Sequence, residues 1–129
     1  MDKNVRGGIL EIRVSKEGHC LIKAFVSGNL SQKQDGTWTS YCKPLDLYTC
    51  GKTREEVIKN TGEAIEAFFE SCIRRGTLET ALNELNWKRA TEVHADGLSR
   101  VTPKIQSSIP PAFVIDKIHH GRWQGHVVI

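Results

Sequence analysis

The chain has 129 residues, 39% hydrophobic and 26% charged, with a formal net charge of +3. This is the size and balance of one ordinary globular domain able to build a core. No window approaches about eighteen apolar residues, which excludes a transmembrane helix, and the opening MDKNVRGG has no apolar export region.

A soluble cytoplasmic protein is therefore expected, with no membrane association. The charge excess lies in the tail: residues 1–87 hold 12 Lys/Arg and 12 Asp/Glu, whereas residues 88–129 hold 6 and 3. An imbalance that small is not by itself a nucleic-acid footprint. Cys20, Cys42, Cys50 and Cys72 contain no C-x-x-C pair. They are expected to be reduced structural thiols, with no metal site and no cofactor.

Residues 9–14, ILEIRV, alternate between apolar Leu10, Ile12 and Val14 and polar Glu11 and Arg13, the pattern of a half-buried strand. SKEGH at 15–19 reads as a turn, and CLIKAFV at 20–26 as a second strand completing a hairpin. The polar segment 27–37, with its Asp35-Gly36 signal, reads as a surface loop. A third strand is expected from Trp38 towards Thr49. Pro44 interrupts its ladder and is expected at an edge or bulge.

Gly51 then allows a sharp turn into a long helix. Thr53 with Glu56 three positions on forms a capping box. Val57, Ile58, Thr61, Ile65, Phe68, Phe69, Cys72 and Ile73 recur at helical spacing on one stripe. Arg74 and Arg75 suit the last turn, and Gly76 a left-handed stop. Gly62 is discordant, because a glycine within a helix costs up to about 1 kcal/mol relative to alanine. A shorter helix follows, capped by Thr77 and carrying Leu78, Ala81, Leu82 and Leu85 to near Asn86. WKRATEVH at 87–94 reads as a fourth strand, and Asp96-Gly97 as a turn. Pro103, Pro110 and Pro111 exclude a long helix in the tail. Phe113-Val114-Ile115 and Val127-Val128-Ile129 are short apolar runs suited to strands or to packing on a partner.

The expected fold class is therefore α+β: a small antiparallel sheet in the order β-β-β-α-α-β, with one long amphipathic helix on one face. Residues 1–95 are expected to form the domain and 96–129 a C-terminal extension of short strands or irregular chain.

The order of a β-hairpin, a third strand with proline, then G-x-T-x-E-E and an amphipathic helix resembles the HicB-like antitoxin family. The matching residues are Pro44, Leu45, Gly51, Thr53, Glu55, Glu56, Asn60 and Ala64-Ile65, with Gly76-Thr77-Leu78, Leu82 and Leu85 after the helix. The similarity covers roughly residues 9–87. It implies a partial ribonuclease-H-like fold and a small basic ribonuclease toxin of the HicA type as partner. Many members also repress their own operon through C-terminal DNA-binding helices. The tail prolines argue against such helices here, so DNA binding is not expected.

On this reading Trp38, Tyr41 and Pro44 offer an interface core, and Glu63, Glu66 and Glu70 make an acidic strip on the outer helix face, complementary to a basic toxin. Homo-oligomerisation through an open sheet edge is the expectation for assembly. Glu11, Asp46 and Glu92 are the strand acids available for metal-dependent nuclease chemistry; Glu11 lies on the polar side of its strand, where a lone acid is usually a solvated surface group, so no catalytic residues are predicted. The alternative reading is a nucleic-acid-binding or nuclease-like protein using the basic, His-rich tail, with Lys117, His119, His120, Arg122 and a stacking Trp123. A purely oligomeric structural domain is the third.

Overall fold

Thirteen consecutive residues, Cys20–Gln32, form one strand, β2, and the sheet is built on it. The computed structural model describes residues 8–14, 20–91 and 110–129. The expected turns at 15–19 and 96–97, and residues 92–109 including Glu92 and Pro103, lie outside them.

The strand continues through the SGNLSQ segment that reads as a loop. Ser27, Asn29 and Ser31 are exposed while Gly28 and Leu30 are buried, so the alternation of a half-buried strand persists. The loop itself is only 33–37. There the Asp35 carboxylate accepts from the Thr37 amide at 2.9 Å, and Gly36 takes φ +93°. That amide also holds the Asp35 carboxyl below its ordinary range.

Six further strands assemble around β2. They are β1 (Ile9–Val14), β3 (Trp38–Cys42), β4 (Leu47–Gly51), β5 (Lys88–Thr91), β6 (Ala112–His119) and β7 (Arg122–Val128). Lys23, Ala24 and Phe25 pair with both β1 and β7, and Asn29 pairs with both Tyr41 and Arg122. A strand has two edges, so β7 occupies one, while β1 and β3 follow one another along the other. Beyond them lie β4 next to β3, β6 next to β7, and β5 parallel to β1. The α+β class holds, but among the described residues the sheet has seven strands, six joined antiparallel and one parallel, rather than the small antiparallel β-β-β-α-α-β set.

The expected single strand from Trp38 to Thr49 is two strands. Pro44 cannot donate to a ladder, and Lys43–Leu45 instead form one 3₁₀ turn closed by Asp46 at φ +54°. The reversal sets Tyr41 opposite Tyr48. Pro44 is buried rather than at an edge, and its carbonyl accepts from the Trp87 indole N–H at 2.9 Å.

The long helix, α1 (Arg54–Arg75), begins as the capping box predicts: Thr53 Oγ1 accepts from the Glu56 amide at 3.0 Å, and Glu56 Oε1 accepts from the Lys52 amide. It ends with Gly76 at φ +70° and the Thr77 amide bonded back to Cys72 at 2.9 Å, a Schellman closure. Val57, Thr61, Ile65 and Phe69 are its buried row. The second helix, α2 (Leu78–Glu84), starts at Thr77 without a side-chain capping bond. No helix among the described residues is long and apolar enough to cross a membrane.

One apolar cluster joins both ends of the described chain. Leu10, Ala24 and Val26 share it with Phe69, Trp123 and Val127. The hairpin of β6 and β7 is thus a structural part of the sheet, while the boundary expected at residue 95 lies outside the described residues. Its turn, His120-Gly121, has φ +49° and +76° and joins the facing pair His119 and Arg122, the two-residue type I′ connection whose twist suits a hairpin.

Two glycines explain how these pieces fit. A Cβ at Gly28 would lie 2.4 Å from the Trp123 ring, and one at Gly62 would lie 3.2 Å from the Phe113 ring. The mid-helix glycine therefore marks the close seat of α1 on β6. Helix α1 also bonds to two of the end strands: Asn60 donates to the Cys50 carbonyl of β4 at 2.9 Å, and Glu66 accepts from the Phe113 amide of β6 at 2.9 Å.

Candidate functional site: the open face of the sheet

The helices cover one face of the sheet, and alternation along each strand decides what faces away. In β2 the outward residues are Lys23, Phe25, Ser27, Asn29 and Ser31; in β7 they are Arg122, Gln124, His126 and Val128. Register then aligns them in rows. Tyr48, Tyr41, Asn29, Arg122 and His119 stand opposite one another across β4, β3, β2, β7 and β6. Beside this row, Ser27, Gln124 and Lys117 form a second.

The first row is aromatic at one end and basic at the other. The Tyr41 and Tyr48 rings stack at 4.2 Å with 19° between their planes, and Tyr48 remains 73% exposed. Tyr41 is held by its hydroxyl, which donates to Asp46 Oδ1 at 3.0 Å. His119 lies against His120 at 3.9 Å between ring centroids.

A bulge in β6 between Ile115 and Lys117 shifts the register and leaves both Asp116 and Lys117 exposed, a re-aiming that bulges commonly produce. The Asp116 carboxylate meets His126 Nδ1 at 2.8 Å. At that end the face is apolar: Ile9, Phe25, His126 and Val114 share a row, with Phe25 and His126 rings 5.9 Å apart.

The predicted nucleic-acid residues divide. Lys117, His119, His120 and Arg122 are all exposed around the type I′ turn. Trp123 is 1% exposed and cannot stack a base: it lies under the sheet, its indole N–H donating to Ser40 Oγ at 3.1 Å. The stretch RWQGHVV alternates outward polar with inward Trp123, Gly125 and Val127. That period-two pattern was the signal that the tryptophan belongs inside.

The predicted partner-binding residues also separate. Tyr41 belongs to the open face. Trp38 is partly buried and packs on the core, and β3 is an interior strand, flanked by β2 and β4. Pro44 is buried. Glu63 and Glu70 are exposed on α1, each 4.0 Å from a lysine or arginine one turn away, Lys59 and Arg74. Glu66 is only partly exposed and turns inward to β6, so the strip on the outer helix face consists of Glu63 and Glu70 without it. Asn29, Tyr48 and Gln124 were not foreseen. Reading Pro44 as the centre of a reversal would have paired Tyr41 with Tyr48.

The carboxylates at the sheet are occupied locally: Asp46 by Tyr41, Asp116 by His126 and Glu66 by Phe113. Among the described residues no three His, Cys, Asp or Glu side chains gather as a metal site. Comparison of the chain with protein-family models, with curated proteins and with solved structures finds no match.

Proposed function

We propose that this protein is a non-catalytic binding protein that neutralises a small ribonuclease toxin, in the manner of HicB-like antitoxins, within a partial ribonuclease-H-like fold. The observation that carries the reading is the segment Pro44–Arg75: a strand, a turn and a capped helix seated on the sheet, with Glu63 and Glu70 held out to solvent. This is the segment on which the family resemblance rests. Exposed ion pairs at 4.0 Å are weak, so both carboxylates can exchange Lys59 and Arg74 for lysines or arginines of a basic partner. Complementary charge of this kind steers association.

The reading includes a reducing, cytoplasmic setting, which accords with the unpaired thiols Cys42, Cys50 and Cys72. It also includes homo-oligomerisation. The expected surface is an open sheet edge; the β4 and β6 edges each give one backbone group to α1, at Cys50 and Phe113.

Co-expression with the product of the adjacent gene tests the function. A small basic protein is expected to co-purify and to be lost on Glu63→Lys/Glu70→Lys. Absence of any such partner overturns the reading. Solution mass measured for the purified chain tests the oligomer, and a monomer would remove that part.

A further inference from the structure

We infer that the open face of the sheet is a docking surface for single-stranded nucleic acid, a second function on the layer opposite the acidic helix face. The row Tyr48, Tyr41, Asn29, Arg122 and His119, with Lys117 beside it, spans five strands, about 19 Å at the usual inter-strand spacing. Tyr48 is 73% exposed. Its stack on Tyr41 fixes the ring, while the Tyr41 hydroxyl is anchored to Asp46. A rigid, exposed aromatic is the element on which an unpaired base stacks.

The exposed cations at one end of the row favour a polyanion there. Lys117 and Arg122 stand outward with His119 and His120 at the basic end. Asp46 and Asp116 also border the row, hydrogen-bonded to Tyr41 and His126. Asn29 and Gln124 supply amide donors and acceptors between the stack and the cations. Single strands fit, because splayed bases can lie across the sheet and stack on its aromatic side chains.

The test uses the full chain and a fluorescently labelled mixed-sequence oligonucleotide, as RNA, as DNA and as duplex, with binding read by anisotropy over a salt series. Binding to single strands that weakens with salt is expected. Tyr48→Ala is expected to raise Kd about fivefold to a hundredfold. Arg122→Ala should flatten the salt dependence by about 0.7 in log–log slope. Both side chains are exposed, and unchanged circular dichroism would verify the fold. Glu63→Gln, on the helix layer, should leave Kd unchanged.

Absence of binding at low salt, tighter binding of duplex, or Kd values unmoved by Tyr48→Ala and Arg122→Ala would each overturn the inference. So would loss of a co-purifying protein in Tyr48→Ala without loss of oligonucleotide binding, which would give the face to that protein. The oligonucleotide outcomes leave the antitoxin reading, whose charged residues lie on α1, to its own co-expression test.

Discussion

The Glu66 carboxylate accepts the backbone N–H of Phe113 at 2.9 Å, so a side chain in the middle of α1 terminates the hydrogen-bond ladder of β6. Asn60 acts likewise on β4 from the same helix. Two of the sheet's end strands, β4 and β6, thus each give one backbone group to the same helix. This is the reason Glu66 does not belong with Glu63 and Glu70, despite similar helical spacing.

Replacing Glu66 by alanine leaves a half-buried N–H without its charged acceptor. Such a loss costs about 1–3 kcal/mol. Glu63→Ala removes only an exposed pair, 4.0 Å long, and should change stability by less than about 0.5 kcal/mol. Urea unfolding of the two variants makes the comparison. Equal midpoints would mean that the Glu66–Phe113 bond contributes nothing.

Trp123 gives a second prediction, since it and Val127 carry the tail into the core. Its ring is buried and its indole N–H is satisfied by Ser40. Trp123→Ala should cost about 3–5 kcal/mol, and Ser40→Ala about 1–3 kcal/mol by leaving the N–H unpaired. Truncation after residue 100 removes β6 and β7 together with Trp123 and Val127. The shortened chain is expected to lose its cooperative thermal transition, and a stable truncated domain would refute this account of the core.

A third prediction concerns the glycine beneath that ring. The Gly28→Ala Cβ would sit 2.4 Å from the Trp123 ring, too close to remain without movement of the indole or of β2. Overpacking of this sort costs about 1–3 kcal/mol. Trp123→Leu should relieve the clash, so the two substitutions together should be less destabilising than the sum of each alone. Additive effects in a double-mutant cycle would contradict direct packing.

Which parts were legible follows from where the determining contacts lie. Helix α1 is encoded locally: a Thr53–Glu56 box, an apolar stripe of period 3.6 and a Gly76 stop require no distant partner. The hairpin β1–β2 is equally local. By contrast Gly28 within SGNLSQ looks like a turn residue, because the ring that needs its missing side chain is 95 positions away in sequence, at Trp123. Trp123 looked exposed because its neighbours Arg122 and Gln124 are polar, although on a strand neighbours face opposite ways. The same long-range logic hid the open-face row. Its five residues come from five strands, and only register brings Tyr48, Asn29 and His119 into line.

Cys42 provides a prediction in pH. The side chain is buried in the core, and burial pushes its thiol up to about 12 from the ordinary 9.0. The folded state therefore holds the proton over a range in which the unfolded chain releases it. Stability contributed by the neutral thiol is fully present below pH 9 and declines as pH rises from about 9 towards 12, by up to about 1.4 kcal/mol per unit. Cys42→Ala should lower stability near neutrality through its cavity, yet flatten that alkaline slope. Thiol labelling gives an independent check: exposed Cys50 should react rapidly in the folded protein, and Cys42 only at the rate of unfolding. Labelling of Cys42 as fast as Cys50 at pH 8, or an unchanged alkaline slope in Cys42→Ala, would show that this thiol is not sequestered in the core.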